Sequence, residues 1–191
     1  MRYAFSKLFW GFLIVLLELH LFVLDVLPDP VGYYLIYLGV NHLVREFPIG
    51  VKAKNLAIGL IVLSIPTVFI QQNSVFSQAF LLSEWSIYVT VLSLLKLILV
   101  FYIFQLMIEI SNRYGNLILM NKTKNILRKY LIIMLLIHIT QPVTMNLSMD
   151  EQITYSIISA LIGLIMEIVL LGLFRRFMKI WGGDESDHAY K

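Results

Sequence analysis

The sequence of 191 residues contains no cysteine. This absence excludes disulfide bonds, thiolate metal ligands and cysteine nucleophiles. Motifs of other common enzyme chemistries are missing too: there is no Walker phosphate loop, dinucleotide fingerprint, G-x-S-x-G turn or H-E-x-x-H zinc motif. The sequence therefore favours a non-enzymatic protein and predicts neither a metal nor a cofactor.

Charged residues are scarce and apolar residues abundant. Only 14% of the chain is Asp, Glu, Lys or Arg, while 59% is hydrophobic and the mean hydropathy is +0.82. Soluble domains average about 25% charged and about 45–50% apolar residues. Water would solvate such a surface poorly, whereas lipid suits it, so the composition predicts an integral membrane protein.

The long apolar segments predict an all-α bundle. A helix needs about 20 mainly apolar residues to cross a hydrocarbon core about 30 Å thick. Six segments meet or approach this length: residues 8–27, 31–44, 55–70, 86–110, 130–149 and 153–174. We therefore expect one transmembrane domain over residues 1–181, followed by a disordered cytoplasmic tail at 182–191. The second segment is short, so a re-entrant hairpin is its structural alternative.

Positive charge is missing from every second connection between these segments. Basic residues at the cytoplasmic ends of spans set membrane orientation, which predicts six crossings with both termini inside. A re-entrant second segment would put the cluster at 45–54 outside, so six full spans are favoured. Fourteen of the fifteen basic residues form four clusters at the other connections and the termini: Arg2 and Lys7; Arg45, Lys52 and Lys54; Arg113, Lys122, Lys124, Arg128 and Lys129; Arg175, Arg176, Lys179 and Lys191. The fifteenth, Lys96, lies inside the fourth span.

Among the ionisable residues inside the predicted spans, the candidates for an interior polar cluster are Glu18, Lys96, His138 and Glu167. A charge at the bilayer centre costs at least about 2.5–3.5 kcal/mol, so such residues face the bundle interior and suggest function. One hypothesis is a polar cluster of all four that forms a substrate or proton site. The alternative is a structural ion pair between Lys96 and one carboxylate, which fixes the register of the helices.

The sixth span also carries a stripe of small residues. At 3.6 residues per turn, Ser156, Ser159, Ala160 and Gly163 lie on the same helix face as Glu167. Small side chains let helix backbones approach closely in membranes. The stripe therefore predicts a face that packs against another helix.

Residues 27–39 read L-P-D-P-V-G-Y-Y-L-I-Y-L-G. This segment resembles an L-P-D-x-x-G-Y-x-L-I-x-x-G pattern of uncharacterised multi-pass membrane proteins from low-GC Gram-positive bacteria. The resemblance implies a bacterial plasma membrane and no particular activity.

The same segment has a direct physical interpretation. Asp29 before Pro30 is typical of a helix N-terminus. Gly32 and Gly39 are seven residues apart, so they share one face and predict close helix packing. Asp25 and Asp29 lie near one outer corner, which makes them candidates for an external site.

Three function classes remain open. The first is an accessory, sensory or immunity-type membrane component that acts through helix contacts with a membrane protein partner. The second is a small transporter or channel subunit that uses the intramembrane polar cluster, and the third is an intramembrane enzyme acting on lipid. In each class the basic loops are expected to contact anionic lipid headgroups, and no nucleic-acid partner is predicted.

Overall fold

A computed structural model describes residues 1–20, 29–69 and 84–181, without the side chains of residues 17–20, 84–86 and 145. The described chain is helical and contains no strand, as the composition predicts. The predicted tail at 182–191 lies outside the described residues. The described residues form six α-helices: α1 (Arg2–His20), α2 (Asp29–Val44), α3 (Val51–Leu63), α4 (Glu84–Arg113), α5 (Leu117–Thr140) and α6 (Met149–Ile180).

The fifth helix begins earlier than the apolar pattern indicates. α5 starts at Leu117, so four basic residues expected in a connection lie on its first turns. The side chain of Asn116 accepts a hydrogen bond from the Leu119 N–H at 3.0 Å, which caps this helix start. Hydropathy did not identify this start because the apolar first turn, residues 117–120, is followed by the polar residues 121–125.

In the described part of the chain, three short 3₁₀ segments contain prolines at the ends of helices: Pro48–Gly50, Ile65–Phe69 and Gln141–Asn146. Proline has no N–H and clashes with the carbonyl four residues earlier, so α3 and α5 end where Pro66 and Pro142 approach. The predicted spans at 55–70 and 130–149 are therefore α-helices that finish as 3₁₀ turns.

Among the described residues, four helical segments are long and apolar enough to cross a membrane. They are Pro48–Val68, Ile87–Arg113, Leu117–Thr144 and Met149–Ile180. α2 has 16 residues, about 24 Å at 1.5 Å per residue, which is shorter than the hydrocarbon core. Length and composition thus support a membrane protein with four clear spanning segments.

α1 and α2 pack with their backbones in close contact. A Cβ on Gly11 would lie 2.7 Å from the Gly32 carbonyl oxygen, and one on Gly39 would lie 2.7 Å from the Ala4 oxygen. No other residue fits at such distances without a shift of the backbone. The predicted close packing of Gly32 and Gly39 is confirmed.

Aromatic side chains join α1 to the C-terminal half of α6. The ring centroids of Phe5 and Phe177 are 4.8 Å apart, and those of Phe12 and Phe174 are 5.4 Å apart. All four rings are fully buried. α3 packs between α2 and α4, and α4 also packs against α5, which completes the core.

The basic helix ends converge at one end of the bundle. Trp181, just after α6, stacks with Phe5 of α1 and contacts the ring of Tyr114, just after α4. Arg113 Nη1 donates to the backbone oxygen of Glu46, between α2 and α3, at 3.0 Å. We call this the basic end.

Away from the basic end, α5 and α6 lose their packing. Tyr130 is the last buried residue of α5, and Met166 is the first buried residue of α6. None of the described side chains in residues 131–165 is buried. The two helices remain linked by Tyr155, whose hydroxyl donates to the Ile137 oxygen at 3.2 Å.

Candidate functional site

Lys96 of α4 and Glu167 of α6 form a buried ion pair. The Lys96 Nζ lies 2.8 Å from Glu167 Oε1. Lys96 is 8% exposed and Glu167 is 2% exposed. Lys96 lies near the middle of α4, and Glu167 lies one turn beyond Gly163 on α6. Because the two charges are paired, neither is left isolated in the apolar interior.

Tyr130 of α5 completes the pair from a third helix. Its hydroxyl donates to the same Glu167 oxygen at 3.1 Å. The Tyr130 ring is 1% exposed and packs against Phe104, with centroids 6.0 Å apart. We call Lys96, Tyr130 and Glu167 the buried triad, because it connects α4, α5 and α6 at one depth.

The role of Tyr130 was not predicted from the sequence. α5 begins at Leu117, so Tyr130 lies 13 residues, about 20 Å, along the helix. The N-cap Asn116 is the sequence signal that would have moved the helix start and placed Tyr130 in the interior.

The carboxylate of Glu167 is bonded on one side only. Oε1 accepts hydrogen bonds from both Lys96 and Tyr130, whereas Oε2 is buried with no hydrogen-bond partner among the described residues. An ionised carboxylate can accept up to about four hydrogen bonds. Chemically, Oε2 can hold a proton or accept a bond from a donor that reaches it.

His138 belongs to a second polar unit. Its Nδ1 lies 2.7 Å from the Met134 oxygen, and its Nε2 lies 2.9 Å from the Ser93 hydroxyl. A carbonyl only accepts, so the Nδ1 carries a proton. Ser93 Oγ is also 2.7 Å from the Thr90 oxygen. If Ser93 donates to Nε2, the imidazole is neutral. If Ser93 donates to the Thr90 oxygen, Nε2 must donate to Ser93, and the imidazole is doubly protonated.

The structure thus brings together two of the four predicted cluster residues. Lys96 and Glu167 are in contact, whereas His138 contacts Ser93, one turn from Lys96 on α4. Among the described residues, no hydrogen bond joins His138 to the buried triad. The side chain of Glu18 lies outside the described residues.

The outer-corner candidates are only partly described. Asp29 is the first residue of α2, within one position of the predicted cap, and is half-buried. Asp25 lies outside the described residues. In the part of the chain that the structure describes, no group of three or more His, Asp or Glu side chains is arranged to hold a metal ion.

Among the described residues, the small-residue stripe of α6 meets no helix at Gly163. A Cβ built on Gly163 has no described neighbour within 4 Å, although Glu167, one turn further on the same face, is buried. In this part of the chain, the predicted packing face is therefore closed at Glu167 and open at Gly163. We call the surface of α6 around Gly163, one turn before Glu167, the Gly163 face.

The turn after α4 is fastened to the connection after α2. The Tyr114 hydroxyl donates to Glu46 Oε1 at 3.0 Å. Desolvation raises the pKa of Tyr114 above its usual value, and the hydrogen bond and negative charge of Glu46 raise it further. Tyr114 therefore stays protonated and keeps this bond throughout the neutral pH range.

Two clefts lie near the basic end, beside the 3₁₀ turn Pro48–Gly50. One, of about 300 Å³, reaches Glu109 and Arg113, and the other, of about 400 Å³, reaches Lys52 and Tyr102. Neither cleft borders the buried triad.

Comparison with known proteins adds no relative. No protein-family model, no curated protein and no solved structure matches this chain.

Proposed function

We propose that this protein crosses a bacterial plasma membrane six times, with its basic end and both termini in the cytoplasm. The convergence of basic helix ends at one end of the bundle supports this orientation. The likeness of residues 27–39 to multi-pass proteins of Gram-positive bacteria supports the choice of membrane. The short α2 crosses by virtue of its tight packing on α1.

Within that membrane, the protein acts as a non-enzymatic component through helix contacts with another membrane protein. The observation that carries this proposal is the open Gly163 face. Small residues in a membrane helix allow close approach of another helix, and this face has no partner within 4 Å at Gly163. An accessory, sensory or immunity-type role fits a surface of this kind.

The buried triad serves this function as a structural lock. The ion pair holds α6 to α4, and Tyr130 ties α5 to the same carboxylate. Buried polar groups of this type fix the register of packed helices. The lock therefore sets the height at which the Gly163 face is presented, and Lys96 needs no ligand to explain its place in a span.

The helix-contact function is tested by comparing two glycines of α6. Gly163 and Gly172 are nine residues apart and so point in directions about 180° apart. A Cβ on either residue meets nothing within 4 Å. Each position is replaced in turn by a photo-crosslinking amino acid in the full chain, and intact cells are irradiated.

We expect a discrete protein adduct from position 163 and none from position 172. The mass of the adduct, with mass spectrometry of its peptides, identifies the partner. Adducts of equal yield at both positions, or only lipid adducts at position 163, would contradict the proposal.

A transporter or channel subunit is the second candidate. The observation that favours it is Glu167 Oε2, which is buried without a hydrogen-bond partner beside an ammonium group. Proton flux through proteoliposomes of the wild type and of Glu167→Gln distinguishes the two functions. Flux that depends on Glu167 would support transport, and equal background flux in both would leave the helix-contact function as the better account.

A further inference from the structure

The two clefts near the basic end form one groove. Pro48 and Ile49 line both of them. The remaining walls come from Phe47, from α4 and from the start of α3. We call this the Ile49 groove. It has an apolar side with Ile49 and Phe101, and a polar side with Lys52 and Gln105, followed by Arg113 at its far end.

The groove lies at the depth of lipid headgroups. The candidate span of α4 begins at Ile87, and a helix covers the hydrocarbon core of about 30 Å in about 20 residues. That distance ends near Leu106, whereas the helix continues to Arg113. The Phe101–Gln105 stretch that lines the larger cleft is therefore at the boundary between acyl chains and headgroups.

Lys52 is the cation in the groove that is left for a ligand. Its Nζ lies 5.9 Å from the centroid of the Tyr102 ring, and among the described residues no carboxylate is within ion-pair distance of it. Arg113 is already engaged, because it donates to the Glu46 oxygen and lies over the Phe47 ring at 5.2 Å.

Charge distinguishes the two ends of the groove. Glu109 lines the smaller cleft with Arg113, so the two charges offset one another there. The larger cleft contains Lys52 as its charged residue, beside the amide of Gln105 and the exposed apolar side chains of Ile49 and Val51. An anion with an apolar tail matches the larger cleft.

We propose that the Ile49 groove binds one anionic phospholipid, with its headgroup phosphate on Lys52. The acyl chain lies along Ile49 and Phe101, and Gln105 donates its amide N–H to a phosphate oxygen. The site itself requires only that the protein is in a membrane. Its assignment to the cytoplasmic leaflet rests on the proposed orientation.

The test uses the full chain in detergent and titrates phosphatidylglycerol or phosphatidylcholine while native mass spectrometry counts bound lipid. Lys52→Ala removes the proposed phosphate ligand. Lys54→Ala is the matched control, because Lys54 is two residues further along α3 and lines neither cleft. Gln105→Glu places a negative charge in the groove without shortening the side chain.

We expect one tightly retained phosphatidylglycerol, preferred to phosphatidylcholine. Lys52→Ala should weaken it about fivefold, as expected for one near-surface basic residue. Gln105→Glu should weaken it at least as much, and Lys54→Ala should leave it unchanged. Equal losses in Lys52→Ala and Lys54→Ala would overturn the groove and indicate diffuse attraction to the basic end.

Free phosphate is the other source of the same chemistry. Glycerol phosphate at millimolar concentration should not displace the lipid, because it lacks the acyl chain that contacts Ile49 and Phe101. Displacement would overturn the lipid assignment. Binding in detergent does not depend on orientation, so failure here leaves the six-span proposal intact, and failure of that proposal changes only the leaflet.

Discussion

Two glycine faces of this protein behave in opposite ways. Between α1 and α2, Gly11 and Gly39 have backbone oxygens of the facing helix 2.7 Å from where a Cβ would be. On α6, Gly163 has no neighbour within 4 Å in the described structure. One face is completed within the chain, and the other is open.

The difference shows what holds helices together in lipid. Apolar side chains gain little by leaving lipid for one another, so close packing and polar contacts stabilise helix pairs. The α1–α2 pair has such packing over its length. α6 has it only as far as Glu167, where the buried triad marks the change from a packed helix to an open one. The N-terminal half of α6 is therefore held by the triad at one end and by the Tyr155 bond to α5.

The largest expected effect comes from removing that anchor. Lys96→Met leaves the Glu167 carboxylate buried with only Tyr130 as a donor. Breaking a buried ion pair costs about 3–5 kcal/mol, and we expect a loss of this size in unfolding free energy measured in detergent micelles.

The double variant Lys96→Met, Glu167→Leu separates a structural pair from a functional site. It removes both charges, so it should recover most of the lost stability. If the double variant loses as much unfolding free energy as Lys96→Met and Glu167→Leu together, the ion pair does not stabilise the fold, and the structural lock is refuted.

A smaller loss is expected in the packed face. In Gly11→Ala the new methyl group would lie 2.7 Å from the Gly32 oxygen and 2.9 Å from the Ile36 nitrogen, both backbone atoms. Overpacking of this kind costs about 1–3 kcal/mol. Thermal unfolding in detergent should show the loss, and an unchanged melting temperature would mean that α1 and α2 are further apart than described.

The smallest effect is expected in the open face. In Gly163→Ala the methyl group meets nothing, and alanine is the better helix former by about 0.8–1 kcal/mol. The isolated protein should therefore be as stable as the wild type or slightly more so, with Gly172→Ala as the control. A loss above about 1 kcal/mol for Gly163→Ala alone would show that the face is already packed within the chain.

Composition and hydropathy predicted the helical class well, because long apolar segments that face lipid form helices, which satisfy their own backbone hydrogen bonds. Boundaries were less certain where helices extend beyond the apolar core. α5 starts at Leu117, where an apolar first turn is followed by a polar stretch that hydropathy assigns to a connection. With this start, Tyr130 lies inside α5 and not at its beginning.

Helical periodicity could not predict which carboxylate pairs with Lys96. Lys96 was singled out, but Glu18 and Glu167 were equal candidates, because a helix face indicates direction and not which helix lies opposite. The glycines show the same limit. Gly32 and Gly39 have the same spacing as Ser156 and Gly163, yet in the described structure the first pair packs on α1, whereas Ser156 is exposed and Gly163 has no neighbour within 4 Å. The order in which helices pack decides the outcome.

The proposed orientation underlies this account, and cysteine labelling tests it most directly. The chain has no cysteine, so single substitutions give an unambiguous signal. Arg45→Cys lies at the basic end and Asn146→Cys at the opposite end, and both positions are exposed. A membrane-impermeant maleimide should label Asn146→Cys in intact cells and Arg45→Cys only after permeabilisation. Labelling of Arg45→Cys from outside would contradict the six-span orientation.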